Sequence, residues 1–118
     1  MINSVVLVGR IGKDPELTYT ANGTAIAKMS LAVDRFQKGE EKVTDWFDIV
    51  AWGKAAEFAG NYLQKGALVG IEGRLQANTW ETKEGQKRKS VEVHAHRVQG
   101  LVKAAAQEES AAGPFDDQ

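Results

Sequence analysis

Cysteine is absent from this 118-residue chain. Its absence removes disulfides, thiolate catalysis and cysteine-based zinc sites together, and it fits a reducing compartment. Imidazole chemistry is confined to His94 and His96. No apolar run approaches the ~18 residues that a membrane helix needs, so no membrane contact is expected. The opening Met1-Ile2-Asn3-Ser4 has no basic region ahead of an apolar stretch, which argues against a secretory signal and for a cytoplasmic location. Enzyme signatures are missing too: no phosphate-loop Gly-Lys-Ser/Thr, no His-Glu-x-x-His, no Gly-x-Ser-x-Gly. Asp34 and Asp48 are a conceivable carboxylate pair, but no other catalytic feature accompanies them. The expectation is a protein without catalytic activity or cofactor.

What is present is ordinary in bulk. Apolar residues make up 42% and charged residues 26%, the balance of a globular domain. The length suits one domain. Net charge is −1, but it is unevenly spread. Residues 104–118 hold Glu108, Glu109, Asp116 and Asp117 and no base. Residues 1–103 therefore carry all 15 Lys and Arg against 12 of the 16 acids, a net +3. A mildly basic body with an acidic tail suits an anionic ligand on the body; a normal surface with a solubilising tail is the alternative.

Hydrophobic periodicity divides the body into short elements. Residues 4–11 are rich in β-branched side chains and read as a strand. Asp14-Pro15-Glu16 and Ala21-Asn22-Gly23-Thr24 are turn signals. Residues 25–36 alternate, and 44–52, 67–80 and 87–97 read as further strands, with hairpin tips at Lys38–Lys42 and Glu84-Gly85-Gln86. Between Lys54 and Lys65 the period changes. Ala55, Phe58, Ala59, Tyr62 and Leu63 recur as one face of a helix, with Gly66 as its C-terminal stop. Residues 98–102 are ambiguous. From Ala104 the chain has one large apolar residue, Phe115, and too little apolar surface to offset ordering entropy. It reads as a disordered acidic tail, although the alanine run could add a helical turn. The expected architecture is all-β: a five-stranded Greek-key OB-fold barrel with one short helix between strands 3 and 4.

Strand parity locates the aromatics. Alternate side chains share a face. Phe47, Ile49 and Ala51 make a good core face, whereas Trp46 and Trp52 share parity with Asp48. Trp80 falls with Glu72, Arg74, Gln76 and Asn78, and Phe36 with Lys28, Ser30 and Asp34. A bulge at Gly70 or Gly73 would shift this parity. Four outward rings need a cover. Unpaired nucleobases supply one, at roughly 1–3 kcal/mol per stacked base. Arg10, Lys28, Arg35, Lys54 and Arg74, with Lys83, Lys87, Arg88 and Lys89 near the last hairpin, are candidate phosphate contacts. The competing readings are core tryptophans, a protein interface, and an ordinary solvated hairpin. An RNA ligand remains open as well.

Two further features stand apart. The first strand is apolar on both sides, with Val5, Leu7 and Ile11 against Val6 and Val8. A second subunit would cover the extra face, unless the helix does. His94, His96 and Glu92 share a parity, so a metal is conceivable; exposed strand residues are the ordinary reading.

These residues resemble the bacterial single-stranded DNA-binding protein family from Asn3 to about Val102. The segments that carry the likeness are Asn3–Gly12 with Asp14-Pro15-Glu16, Asn22-Gly23, Leu31-Ala32-Val33 leading to Phe36, Asp45–Lys54, Tyr62–Gly66, Ile71–Leu75, and Trp80. The resemblance implies an OB-fold, a homotetramer, and DNA stacked on Phe36, Trp46, Trp52 and Trp80. It implies protection of exposed strands in replication, recombination and repair, at the nucleoid, without catalysis. Gln76 and Asn78 stand where family members often carry bases. The family's tail ends in Pro-Phe and recruits replication and repair proteins; here Pro114-Phe115 continues into Asp116-Asp117-Gln118.

Overall fold

The structure is a computed structural model, and it describes residues 1–36, 38–39 and 42–101. The elements in chain order are β1 (Val5–Ile11), β2 (Glu16–Tyr19), β3 (Ala25–Phe36), β4 (Lys42–Trp52), α1 (Lys54–Tyr62), β5 (Leu68–Glu81) and β6 (Lys87–Gly100). Five of these strands close on themselves. β1 pairs with β5, β5 with β6, β6 with β4, β4 with β3, and β3 returns to β1 through Arg10↔Ala32 and Ile11↔Leu31. The β4–β6 pairing is parallel and the rest are antiparallel. This is the expected five-stranded barrel, with the helix between its third and fourth strands.

β2 is an addition that the turn signal at Asp14–Glu16 did not suggest. It is four residues long and pairs with β3 outside the closed circuit. Four residues are too few for a period to declare itself. Its one inward residue, Leu17, packs against the core and lies beneath Gly60 of α1.

The barrel is filled from the core-parity face of each strand. Ile11, Leu31, Ile49, Val69 and Ile71 are its largest fully buried side chains. Small residues complete it, with Ala27, Ala51, Ala95 and the helical Ala56 and Ala59 almost wholly enclosed. β1 and β3 approach closely where the circuit closes. A Cβ on Gly9 would stand 2.3 Å from the Ala32 carbonyl oxygen, so no larger residue fits there without moving backbone.

The helix is shorter than the periodicity implies. Its last intrahelical bond runs from the Leu63 N–H to the Ala59 carbonyl, and Leu63 is already extended. The Lys65 N–H then donates to the Asp14 carboxylate at 2.8 Å, and the Gly66 N–H donates to the Ile11 carbonyl at 2.8 Å. These bonds draw the chain off the helix toward β1. Gly66, at φ 92°, serves the following turn rather than the helix end.

The strand bulge falls between Glu72 and Gly73, opposite an extra residue, His96, on β6. Parity on β6 therefore switches after Ala95, and Val98 turns toward the core where Ala95 did before it. Residues 98–100 belong to β6 for this reason. On β5 the buried alternation of Val69, Ile71 and Gly73 ends at the bulge: Leu75 and Ala77 are exposed, and Gln76 and Asn78 are half-buried. The expected tail, residues 104–118, and the last body residues, 102 and 103, lie outside the described residues.

Replacing Gly9 with Ala should lower the unfolding free energy by about 1–3 kcal/mol, as overpacking does. Urea denaturation followed by circular dichroism measures it, and a midpoint equal to the parent's would contradict close strand contact at this position.

Candidate nucleic-acid interface

The four aromatics expected outside are outside. Phe36 is 76% exposed, Trp46 62%, Trp80 50% and Trp52 41%. Trp46 and Trp52 sit on the strand face opposite Ile49 and Ala51, so the filling of the barrel turns them outward, whereas Phe36 and Trp80 lie on stretches of β3 and β5 where both faces are exposed. Register places them in rows. Arg10 of β1, Ala32 of β3 and Trp46 of β4 lie side by side. Ile26 neighbours Trp52, Lys42 neighbours Phe36, and Arg88 of β6 neighbours Trp80 of β5. A further row runs from Lys28 through Val50 and His94 to Arg74 across β3, β4, β6 and β5.

The bases divide into two groups. Arg10, Lys28, Arg74 and Arg88 share the aromatic parity. Lys54 begins α1 two residues after Trp52, and Lys83 sits in the β5–β6 turn; both are exposed. Arg35, Lys87 and Lys89 have the opposite parity. Arg35 is also engaged, donating from Nε to the Asp45 carboxylate at 2.7 Å. Asp34, on the aromatic face, accepts from the Thr44 hydroxyl at 2.8 Å and lies 3.7 Å from Lys42. Arg10 donates to the Gly66 carbonyl at 2.9 Å, on the β5 side of β1. Arg74 donates to Gln76 at 3.1 Å, and Arg88 to Gln86 at 3.0 Å.

Trp46 reaches over Gly12. A Cβ at Gly12 would meet the indole Cζ3 at 2.4 Å and Cη2 at 3.2 Å, so the far edge of the ring occupies space that only glycine leaves open. The ring is 62% exposed all the same.

Sequence periodicity missed a set of polar contacts on this face. The Trp52 indole N–H donates to His94 Nδ1 at 3.0 Å. His94 Nε2 stands 3.1 Å from Glu92 Oε1, which also accepts from Asn78 Nδ2 at 3.0 Å. The His94 side chain is only 10% exposed, so it is not the solvated strand histidine of the ordinary reading. Nothing in the sequence pairs residue 52 with residue 94; the parallel β4–β6 register sets His94 beside Val50, diagonal to Trp52. The bulge sets His96 apart from this group. Among the described residues no cluster of three or more His, Asp or Glu side chains stands ready for a metal.

Residues 2–101 match the Single-strand binding protein family. The chain belongs to that family. It is 47% identical over 102 residues to single-stranded DNA-binding protein 3 of Clostridium acetobutylicum, covering 85% of this chain and 71% of that one. It is 48% identical over 104 residues to single-stranded DNA-binding protein A of Bacillus subtilis, covering 86% and 60%. The chain thus spans between about three fifths and about seven tenths of these relatives' lengths. Among solved structures it is similar to a Plasmodium falciparum SSB complexed with single-stranded DNA. That match has a TM-score of 0.76 and 28% identity, and it covers 86% of this chain and 96% of the other. No described helix is long and apolar enough to cross a membrane.

Substituting Gly12 with Ala should displace the Trp46 ring while the barrel stays folded, because the far end of a side chain yields more easily than backbone. Tryptophan emission should shift and oligothymidine affinity should fall; unchanged emission would show that the ring does not depend on that contact.

Proposed function

We propose that this chain binds single-stranded DNA with little sequence preference, stacking bases on Phe36, Trp46, Trp52 and Trp80 and holding phosphates with the interleaved bases. The observation that carries this reading is the set of four exposed rings on the outside of the strands, with Arg10 in the row of Trp46, Arg88 beside Trp80, and Lys28 and Arg74 in the row of Val50, two residues from Trp52. Membership of the family supports it, as does the similarity to an SSB complexed with single-stranded DNA. An unpaired strand offers both a charged backbone and bare base faces, whereas a duplex hides the faces. Every base has a π face, so stacking is tolerant of sequence, and each stacked base is worth about 1–3 kcal/mol. Phosphate contacts release counterions and make affinity fall as salt rises.

The rest of the reading follows from that ligand. Residues 1–103 act as the DNA-binding unit, and residues 104–118 as an acidic tail toward replication and repair proteins. The chain protects exposed strands in replication, recombination and repair, in the cytoplasm at the nucleoid. No catalytic step is assigned to it. The functional unit is a homotetramer; the number four comes from the family likeness. Val6 and Val8 of β1, 65% and 51% exposed, support an interface on that face. The helix does not reach it, because α1 packs on β2, β3, β4 and β6.

Oligothymidine should quench the tryptophan emission, and added salt should reverse it. Trp46→Ala or Trp80→Ala should weaken binding by about 1–3 kcal/mol each without lowering the melting temperature. A mutant that melts far below the parent would place that ring in the core.

The two groups of bases should differ in salt dependence. Lys28→Ala should flatten the slope of log affinity against log salt by about 0.7, the share of one single-strand phosphate. Arg35→Ala should change it less, since Asp45 already neutralises that guanidinium. Equal effects would mean that both faces of the β3–β4 ladder touch DNA.

Light scattering should give a mass near four chains for the parent and a smaller one for Val6→Asp with Val8→Asp. An unchanged mass in that double mutant would move the interface elsewhere.

A further inference from the structure

We infer that His94, oriented by Glu92, is a positioning residue for the base-stacking ring of Trp52. The inference rests on the reading of Trp52 as a stacking ring and adds what holds it in place. The hydrogen bonds determine the imidazole's form. Glu92 Oε1 receives both the Asn78 amide and His94 Nε2, and an ionised carboxylate only accepts. His94 Nε2 therefore carries the proton. The indole N–H of Trp52 only donates, so Nδ1 must present a bare lone pair to it at 3.0 Å. Both ends of the chain of bonds require the same neutral tautomer.

The geometry of the two rings gives this bond its purpose. Their centroids are 5.9 Å apart and their planes differ by 23°. The two rings therefore run nearly parallel, joined through Trp52 Nε1 and His94 Nδ1 at 3.0 Å, and Trp52 stays 41% exposed. His94 thus stops the indole from turning about its Cβ–Cγ axis and leaves a face of the Trp52 ring open to solvent. The anchoring group is itself covered on the sheet. Val50, its register neighbour on β4, is buried although it has the outer parity, and Arg74 flanks His94 on β5. Glu92 and Asn78 fasten the imidazole from β6 and β5, so the orientation of one ring on β4 is set by three strands. A ring already fixed in its binding pose loses less freedom when a base stacks on it.

The test uses the full chain with Trp46→Phe and Trp80→Phe, which leaves Trp52 as the sole indole. Oligothymidine should quench its emission. Adding His94→Leu should weaken oligothymidine binding about threefold to tenfold, the scale of one lost hydrogen bond, and His94→Gln, which can donate and accept together, should restore it to within about twofold. Long-range proton–nitrogen correlation spectra should show His94 protonated at Nε2 and bare at Nδ1. The Trp52 indole proton should exchange slowly with solvent in the parent and in His94→Gln, and fast in His94→Leu. Absence of quenching in the His94 form would overturn stacking by Trp52 and this inference with it. Quenching with equal affinity in a folded His94→Leu protein would overturn the positioning role alone. Should His94→Leu fail to fold, a proton found on Nδ1, or binding lost in a folded His94→Gln protein, overturns it.

Discussion

Alternation of side chains across the strands of a closed barrel is the constraint on which this molecule depends. A strand residue has two choices of face, and the interior leaves room for one set only. Ile49 and Ala51 point inward and are fully enclosed, so Trp46 and Trp52 take the outer side, where both are exposed. On β3 Met29 and Leu31 are buried in the same way, while from Asp34 to Phe36 both faces of the strand are exposed. On β4 the core does not merely support the aromatic face; by filling itself it creates that face. Closure of β1 onto β3 at Gly9 makes the arrangement rigid, since a closed circuit has no free edge along which register could slip.

The outer face is polar in composition and aromatic in effect. Large rings in solvent are a liability to an isolated protein and an asset to one whose ligand carries flat apolar faces. The bases between the rings are few, and several are already tied to neighbouring carbonyls or amides, as Arg10 is to Gly66 and Arg74 to Gln76. Acids share the face: Asp34 beside Lys42 and Asp48 between the two β4 tryptophans. Two of the rings are anchored, Trp46 over the bare backbone of Gly12 and Trp52 by the imidazole of His94.

Most of the barrel was legible in the residues because its strands are long enough to show a period. β3 and β4, at 12 and 11 residues, declare their two faces without ambiguity. β2 was not legible, since four residues show no period. The end of α1 was misplaced because Leu63 continues the helical apolar pattern while serving the core from an extended backbone. Residues 98–100 were ambiguous because the bulge at His96 reverses the parity there. At the site, parity placed all four rings outside. It could not show that Arg35 is committed to Asp45, nor that Trp52 meets His94, because those contacts depend on register between strands rather than on the pattern along one.

A structure of the chain bound to an oligothymidine tests the central claim most directly. The account predicts bases lying flat against Phe36, Trp46, Trp52 and Trp80, with the sugar–phosphate path running beside Arg10, Lys28, Arg74 and Arg88. An oligonucleotide seated on the opposite barrel face, with those rings bare or buried against another protein surface, would contradict it.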